Sequence, residues 1–158
     1  MTLTLDIQVD DNAWDHEAAA KTAAACADAV WASAAEGVQP GEVSLLFTSD
    51  DAVHTLNKDW RGKDKPTNVL SFPAEPMPSV EGLPTPLGDL ALAHGVCARE
   101  AAQKNIPFEH HLSHLIVHGL LHLFGYDHID ETQAGVMEAL ERDILHRLGI
   151  PDPYADAQ

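Results

Sequence analysis

Apolar and polar residues alternate at the start of the chain, with Leu3, Leu5, Ile7 and Val9 separated by Thr4, Asp6 and Gln8. A period of two predicts a strand with one buried face. From Trp14 to about Glu36 the chain is rich in alanine and has neither Pro nor Gly until Gly37, which predicts a long helix. Pro40 and Gly41 mark a turn, and Glu42–Thr48 alternates again, placing Val43, Leu45 and Phe47 on one face of a second strand. Ser49, Asp50 and Asp51 read as an N-cap followed by acids at the positive end of a helix dipole. Ala52, Val53, Leu56 and Trp60 supply the apolar side of that helix, and Gly62 ends it.

Asn68–Phe72 is short, apolar and bounded by Pro66 and Pro73, a third strand. Ala74–Pro86 holds Pro76, Pro78, Pro84 and Pro86 with little pattern, and is expected to be a mobile loop. Leu87–Ala93 is a fourth strand. His94–Asn105 and Phe108–Phe124 read as helices separated by Pro107, the second sending Leu112, Leu115, Ile116 and Leu123 to the core. Asp130 and Gln133 form a capping-box-like pair opening a last helix, which Gly149 and Pro151 close. No repeat, low-complexity tract or linker interrupts residues 1–158, so a single domain is expected. The order of elements predicts an α+β fold with a small mixed four-stranded sheet packed with about five to six helices.

The densest chemistry lies in His118-Gly-Leu-Leu-His122-Leu-Phe-Gly125-Tyr-Asp-His128. Four residues on a helix advance about 6 Å and return to the same face, so His118 and His122 can reach one ion. Gly125 can adopt the left-handed conformation that ends a helix and let the chain bring His128 to the same ion. Three imidazoles leave a fourth position open, as in catalytic zinc sites. Zinc is the first expectation, one ion per chain, although Ni, Cu and Fe also accept imidazole. The spacing is the ligand skeleton of the metzincin proteases. Those enzymes carry Glu directly after the first His as general base, and this chain has Gly119 there.

Composition constrains the partner less than its distribution does. The net charge is −16, which taken alone argues against nucleic acid. Yet four of the nine Lys and Arg fall in one short segment, as Lys58, Arg61, Lys63 and Lys65. That segment reads equally as a solvated basic loop or a phosphate-binding edge. Cys26 and Cys97 lack metal-type spacing and are expected to be buried thiols in a reducing cytoplasm. No apolar run could span a bilayer, and Met1–Asp6 lacks the order of a signal peptide.

Other residues compete for roles beside the metal. His114 shares the face of His118, but it lies about 12 Å from His122 along the axis, so one of the two must be left out. The return from Gly125 is nearest His122, which leaves His114 as an outer partner or exposed. His110 and His111 are expected at the exposed start of the helix, and His16, His54, His94 and His146 are isolated. Asp127 either orients a ligand imidazole or stabilises the turn.

HGLLHLFGYDH at 118–128, NKDWRGKDKPTNVLSFP at 57–73 and LGDL at 87–90 together resemble the YbeY family, over a stretch from about Val43 to Tyr154. The resemblance implies a bacterial, cytoplasmic, single-strand-specific and metal-dependent endoribonuclease. It would act in late ribosomal RNA maturation, at the 3′ end of the small-subunit RNA, and in ribosome quality control. It places the zinc ligands on His118, His122 and His128 and a functional arginine on Arg61. It also makes Lys58, Lys63 and Lys65 a phosphate-binding edge, with single-stranded or ribosomal RNA, and ribosomal subunit proteins, as partners and no membrane. Trp60 could stack a base or belong to the core. The base that takes the proton from water stays open among metal-activated water, Asp127 and the RNA 2′-OH. Two other readings also stay open: an assembly factor with a structural zinc, and a zinc peptidase or amidase.

Overall fold

The computed structural model describes residues 3–38, 40–75 and 81–154. Nine elements follow one another: β1 (Thr4–Val9), α1 (His16–Ala34), β2 (Gly41–Thr48), α2 (Asp50–Arg61), β3 (Val69–Pro73), β4 (Thr85–Ala93), α3 (His94–Lys104), α4 (Phe108–Leu123) and α5 (Glu131–Arg147). The fold is α+β, with a four-stranded mixed sheet and five helices. The centre of the expected mobile loop, residues 76–80, lies outside the described residues.

The sheet order is β1-β2-β4-β3. β1, β2 and β4 run parallel, and β3 pairs antiparallel with β4 at the edge. Alternation along the strands divides the core between two faces. Val43, Leu45, Phe47, Leu90 and Leu92 face α1 and α4, while Leu70, Ala91 and Ala93 face α2 with Val53. On β3, therefore, Ser71 and Phe72 look to opposite sides of the sheet.

α4 is the central helix, packed against α1, α3, α5 and the β3–β4 edge. Most of its residues are buried, including Leu112, Leu115, Ile116 and Leu123. At Gly119 the packing is tight: a Cβ would stand 2.8 Å from Leu90 Cδ2 and 3.3 Å from Ser71 Oγ, so a side chain there would require Leu90 to shift. α1 packs through small residues, Ala19, Ala23, Cys26 and Ala27, which lets it approach α4 closely.

Three expectations change in three dimensions. α1 begins at His16, capped by Asp15, whose side chain accepts from Ala18 N–H at 3.1 Å. Trp14 sits outside the helix as a buried plug: its Nε1–H donates to the Thr48 carbonyl at 2.9 Å, and its ring packs edge-on to Phe47 and His94. His94 is therefore a core contact, not an isolated residue. Trp60, placed by its spacing on the apolar side of α2, is 73% exposed. It borders an open groove of about 480 Å³ over the sheet face, lined also by Leu46, Leu56, Phe72 and Ala91.

Candidate metal centre

His118 and His122 project from the last two turns of α4. Their Nε2 atoms are 3.1 Å apart and their ring centroids 4.6 Å. The helix ends in a Schellman turn, with the Gly125 N–H donating to His122 O and the Tyr126 N–H to Leu121 O, both at 3.0 Å. Gly125 has φ +102°, a value that side chains rarely tolerate. The reversal brings the His128 ring to 5.6 Å from His118 and 5.0 Å from His122. One ring nitrogen from each of the three lies within 4.8 Å of the other two.

The outer nitrogens set the tautomers. His122 Nδ1–H donates to the Tyr126 carbonyl at 3.0 Å. His118 Nδ1 faces Glu141 Oε1 at 3.4 Å. With both Nδ1 atoms protonated, both Nε2 atoms present lone pairs, and their 3.1 Å approach is not a hydrogen bond. A tetrahedral ion with metal–nitrogen bonds near 2.0–2.1 Å spaces its ligands about 3.3 Å apart, so the donor set fits a cation. Burial, aided by His118 and His128, holds His122 below the ordinary imidazole range and favours the neutral form a metal needs.

Behind these rings stands Glu141 of α5, 1% exposed. Its Oε1 accepts from His114 Nε2 at 2.6 Å and from the Tyr154 hydroxyl at 2.9 Å, besides facing His118. Burial pushes its carboxyl up, but the bonds from His114 and His118 outweigh burial and leave it at about 2. His114 is thus an outer partner of the ligand set. His111 is not at an exposed helix start: it is 1% exposed, because α4 enters beneath α3, where Glu100 Oε1 meets its Nε2 at 2.8 Å. Glu100 also accepts from Asn68 Nδ2 at 2.9 Å. Asp127 takes the turn role, its Oδ1 accepting from the His128 backbone N–H at 2.8 Å.

The histidines open into a cleft of about 800 Å³ between α4, the β3 edge and the end of α2. Arg61, Lys63 and Lys65 line it, and none has a carboxylate within salt-bridge distance among the described residues. Lys58 is exposed on α2 but outside the lining. Lys104, which sequence reasoning did not single out, joins the cleft from the end of α3. His54 holds the loop after α2 through a 2.6 Å contact with Asp64. Glu141 also escaped notice, although a signal existed: it stands among Met137, Ile144 and Leu145 on the buried stripe of α5, where an acid needs a partner.

The family model described as Endoribonuclease YbeY matches residues 6–149. The chain belongs to the YbeY endoribonuclease family. An Endoribonuclease YbeY of Nitrobacter hamburgensis is 57% identical over 117 residues, which are 72% of this chain and 62% of that protein. One from Rhodopseudomonas palustris is 49% identical over 152 residues, 95% of this chain and 80% of that one. The solution structure of a Thermotoga maritima protein superposes with a TM-score of 0.60 at 21% identity, covering 98% of each chain, and so shares the fold. Among the described residues no helix is long and apolar enough to cross a membrane.

Proposed function

We propose that this YbeY-family chain is a zinc-dependent, single-strand-specific endoribonuclease. It acts on ribosomal RNA, at the 3′ end of the small-subunit RNA, in the cytoplasm and in contact with ribosomal subunit proteins. The observation that carries the catalytic part is one cleft holding both the convergent His118, His122 and His128 and Arg61, Lys63 and Lys65, which have no ion-pair partner among the described residues.

The three imidazoles would hold the ion, with tautomers set by Tyr126 and Glu141. A zinc held there would supply a water with a pKa lowered to about 7 and a Lewis acid for a phosphoryl oxygen. Arg61 supplies a planar, permanently charged fork suited to two oxygens of the scissile phosphate. Lys63, Lys65 and Lys104 hold flanking phosphates as point charges in a protein that is otherwise strongly acidic. Trp60, exposed next to Arg61 in sequence, offers a stacking surface that only an unpaired base can use.

The peptidase reading is disfavoured by packing as well as by sequence. A Glu at position 119 would require the buried Leu90 side chain to shift, a packing cost added to the missing base. The deciding experiment is cleavage of a labelled single-stranded RNA by zinc-loaded protein, with folded His122→Ala protein prepared identically. Cutting by the wild type alone supports the proposal. Equal cutting by both reveals a contaminant, and no cutting by zinc-loaded wild type returns the chain to the assembly-factor reading.

A further inference from the structure

The chain passes Glu141 twice, once along α5 and again thirteen residues later. Gly149, with φ +77°, reverses the chain in a second Schellman turn: its N–H donates to His146 O at 3.0 Å, and the Ile150 N–H donates to Leu145 O at 2.9 Å. Residues 150–154 then run back beside α5. Two contacts from Arg142 secure the return, an ion pair to Asp152 at 3.2 Å and a guanidinium 5.4 Å from the Tyr154 ring centre. Asp152 Oδ1 also accepts from the Tyr154 N–H at 2.8 Å. Tyr154 consequently meets the His114 ring edge-on at 5.5 Å and puts its hydroxyl 2.9 Å from Glu141 Oε1.

We propose that Tyr154 is a positioning residue of the metal centre: its hydroxyl fixes the Glu141 oxygen that orients His118, so that metal binding and docking of the C-terminal segment are coupled. The contact distances give the reason. Glu141 Oε1 is held by short bonds to His114 and Tyr154, at 2.6 and 2.9 Å, while its contact with His118 is longer at 3.4 Å. The short bonds therefore decide where the oxygen stands, and His118 Nδ1 is oriented by it. Such outer partners fix the tautomer and direction of a ligand imidazole, and their loss typically lowers metal affinity 10–100-fold. Coupling is reciprocal: if the docked tail raises metal affinity, the metal must stabilise the docked tail by the same factor. This inference rests on the assignment of His118 as a ligand, but not on RNA cleavage.

The test measures zinc affinity of the full chain by competition with a chelator, for wild type, Tyr154→Phe and His118→Ala. Tyr154→Phe keeps the ring and its contact with Arg142 and removes only the hydroxyl. It is expected to bind zinc about tenfold more weakly, with the melting temperature of the metal-free protein almost unchanged. In the wild type, zinc should slow hydrogen exchange of the backbone amides of residues 152 and 154, and in Tyr154→Phe that slowing should shrink. Wild-type zinc affinity in Tyr154→Phe overturns the proposal, as does a lowered metal-free melting temperature with unchanged affinity, which would make Tyr154 merely structural. If His118→Ala binds zinc like the wild type, the ligand assignment itself fails. If His118→Ala loses zinc while Tyr154→Phe does not, only the role of Tyr154 falls.

Discussion

At the histidine end of the cleft, His118 and His122 each have a partner on the nitrogen that faces away from the site. At the basic end, Arg61, Lys63 and Lys65 are exposed and have no ion-pair partner among the described residues. Under the proposed function, the contrast follows from what each end would hold. An ion accepts ligands only at set distances and angles, so ring orientation has to be fixed before binding. A single-stranded polyanion has many conformations, and long cationic side chains can follow it if nothing else engages them. The rigid end accordingly lies on a buried helix with Glu141 behind it, and the adaptable end lies on a helix terminus and a loop.

The largest expected effect comes from breaking the rigid end. His122→Ala removes one of three donors and should abolish both stoichiometric zinc binding and RNA cleavage, checked by metal analysis and a gel assay on the same preparation. Arg61→Ala breaks the other end. It should lower the cleavage rate about 10²–10³-fold, the usual cost of one preorganised charge-stabilising donor, with zinc content unchanged. Loss of zinc in that variant would mean that the two ends are not separable.

Acid should also act on the rigid end first. Burial holds His111 and His122 below the ordinary 6.5. In the metal-free protein they stay neutral when folded and take up protons when unfolded, so stability falls as pH drops below 6.5. Glu141 lies at about 2 in the fold against an ordinary 4.5, so its contribution is present above 4.5 and is lost as pH falls from there towards 2. Urea unfolding of metal-free protein at stepped pH should show both losses, and Glu141→Gln should remove the lower one. A stability that is flat below pH 4.5 in the wild type would contradict the ionised, bonded Glu141.

The rigid end was legible only in its inner half. Histidine spacing on one helix, plus a glycine that ends it, are local features, and a linear reading follows them. Glu141, Tyr154 and Glu100 reach the site from other elements, and their partners are set by how α5 and α3 lie against α4. The buried stripe of α5 marked Glu141 as unusual, but nothing local named His114 and His118 as its partners. The element order and the sheet's two faces were readable because alternation is a local consequence of burial. Trp60 misled for a related reason: helical period places it on the apolar side of α2 but does not tell that an open groove, not a packed core, lies over the sheet there. His111 misled in the opposite direction, since a helix start is normally wet and this one enters beneath α3.

The adaptable end should respond by small, graded steps. Each cleft lysine that meets a phosphate releases counterions when RNA binds, so Lys63→Ala, Lys65→Ala and Lys104→Ala should each reduce the slope of log affinity against log salt by about 0.7 for a single strand. Zinc affinity should not change, because none of the three touches the histidines. Lys58, exposed but outside the cleft lining, serves as the internal comparison, and Lys58→Ala should shift the slope less than the other three. Fluorescence anisotropy of a labelled single strand, titrated at several salt concentrations in the His122→Ala background, measures this without cleavage and with Arg61 in place. Equal slopes for Lys58→Ala and Lys104→Ala would mean that the RNA follows the outer face of α2 and not the cleft. Unchanged slopes in all four would remove the lysines from RNA binding and leave Arg61 as the cleft's only phosphate contact.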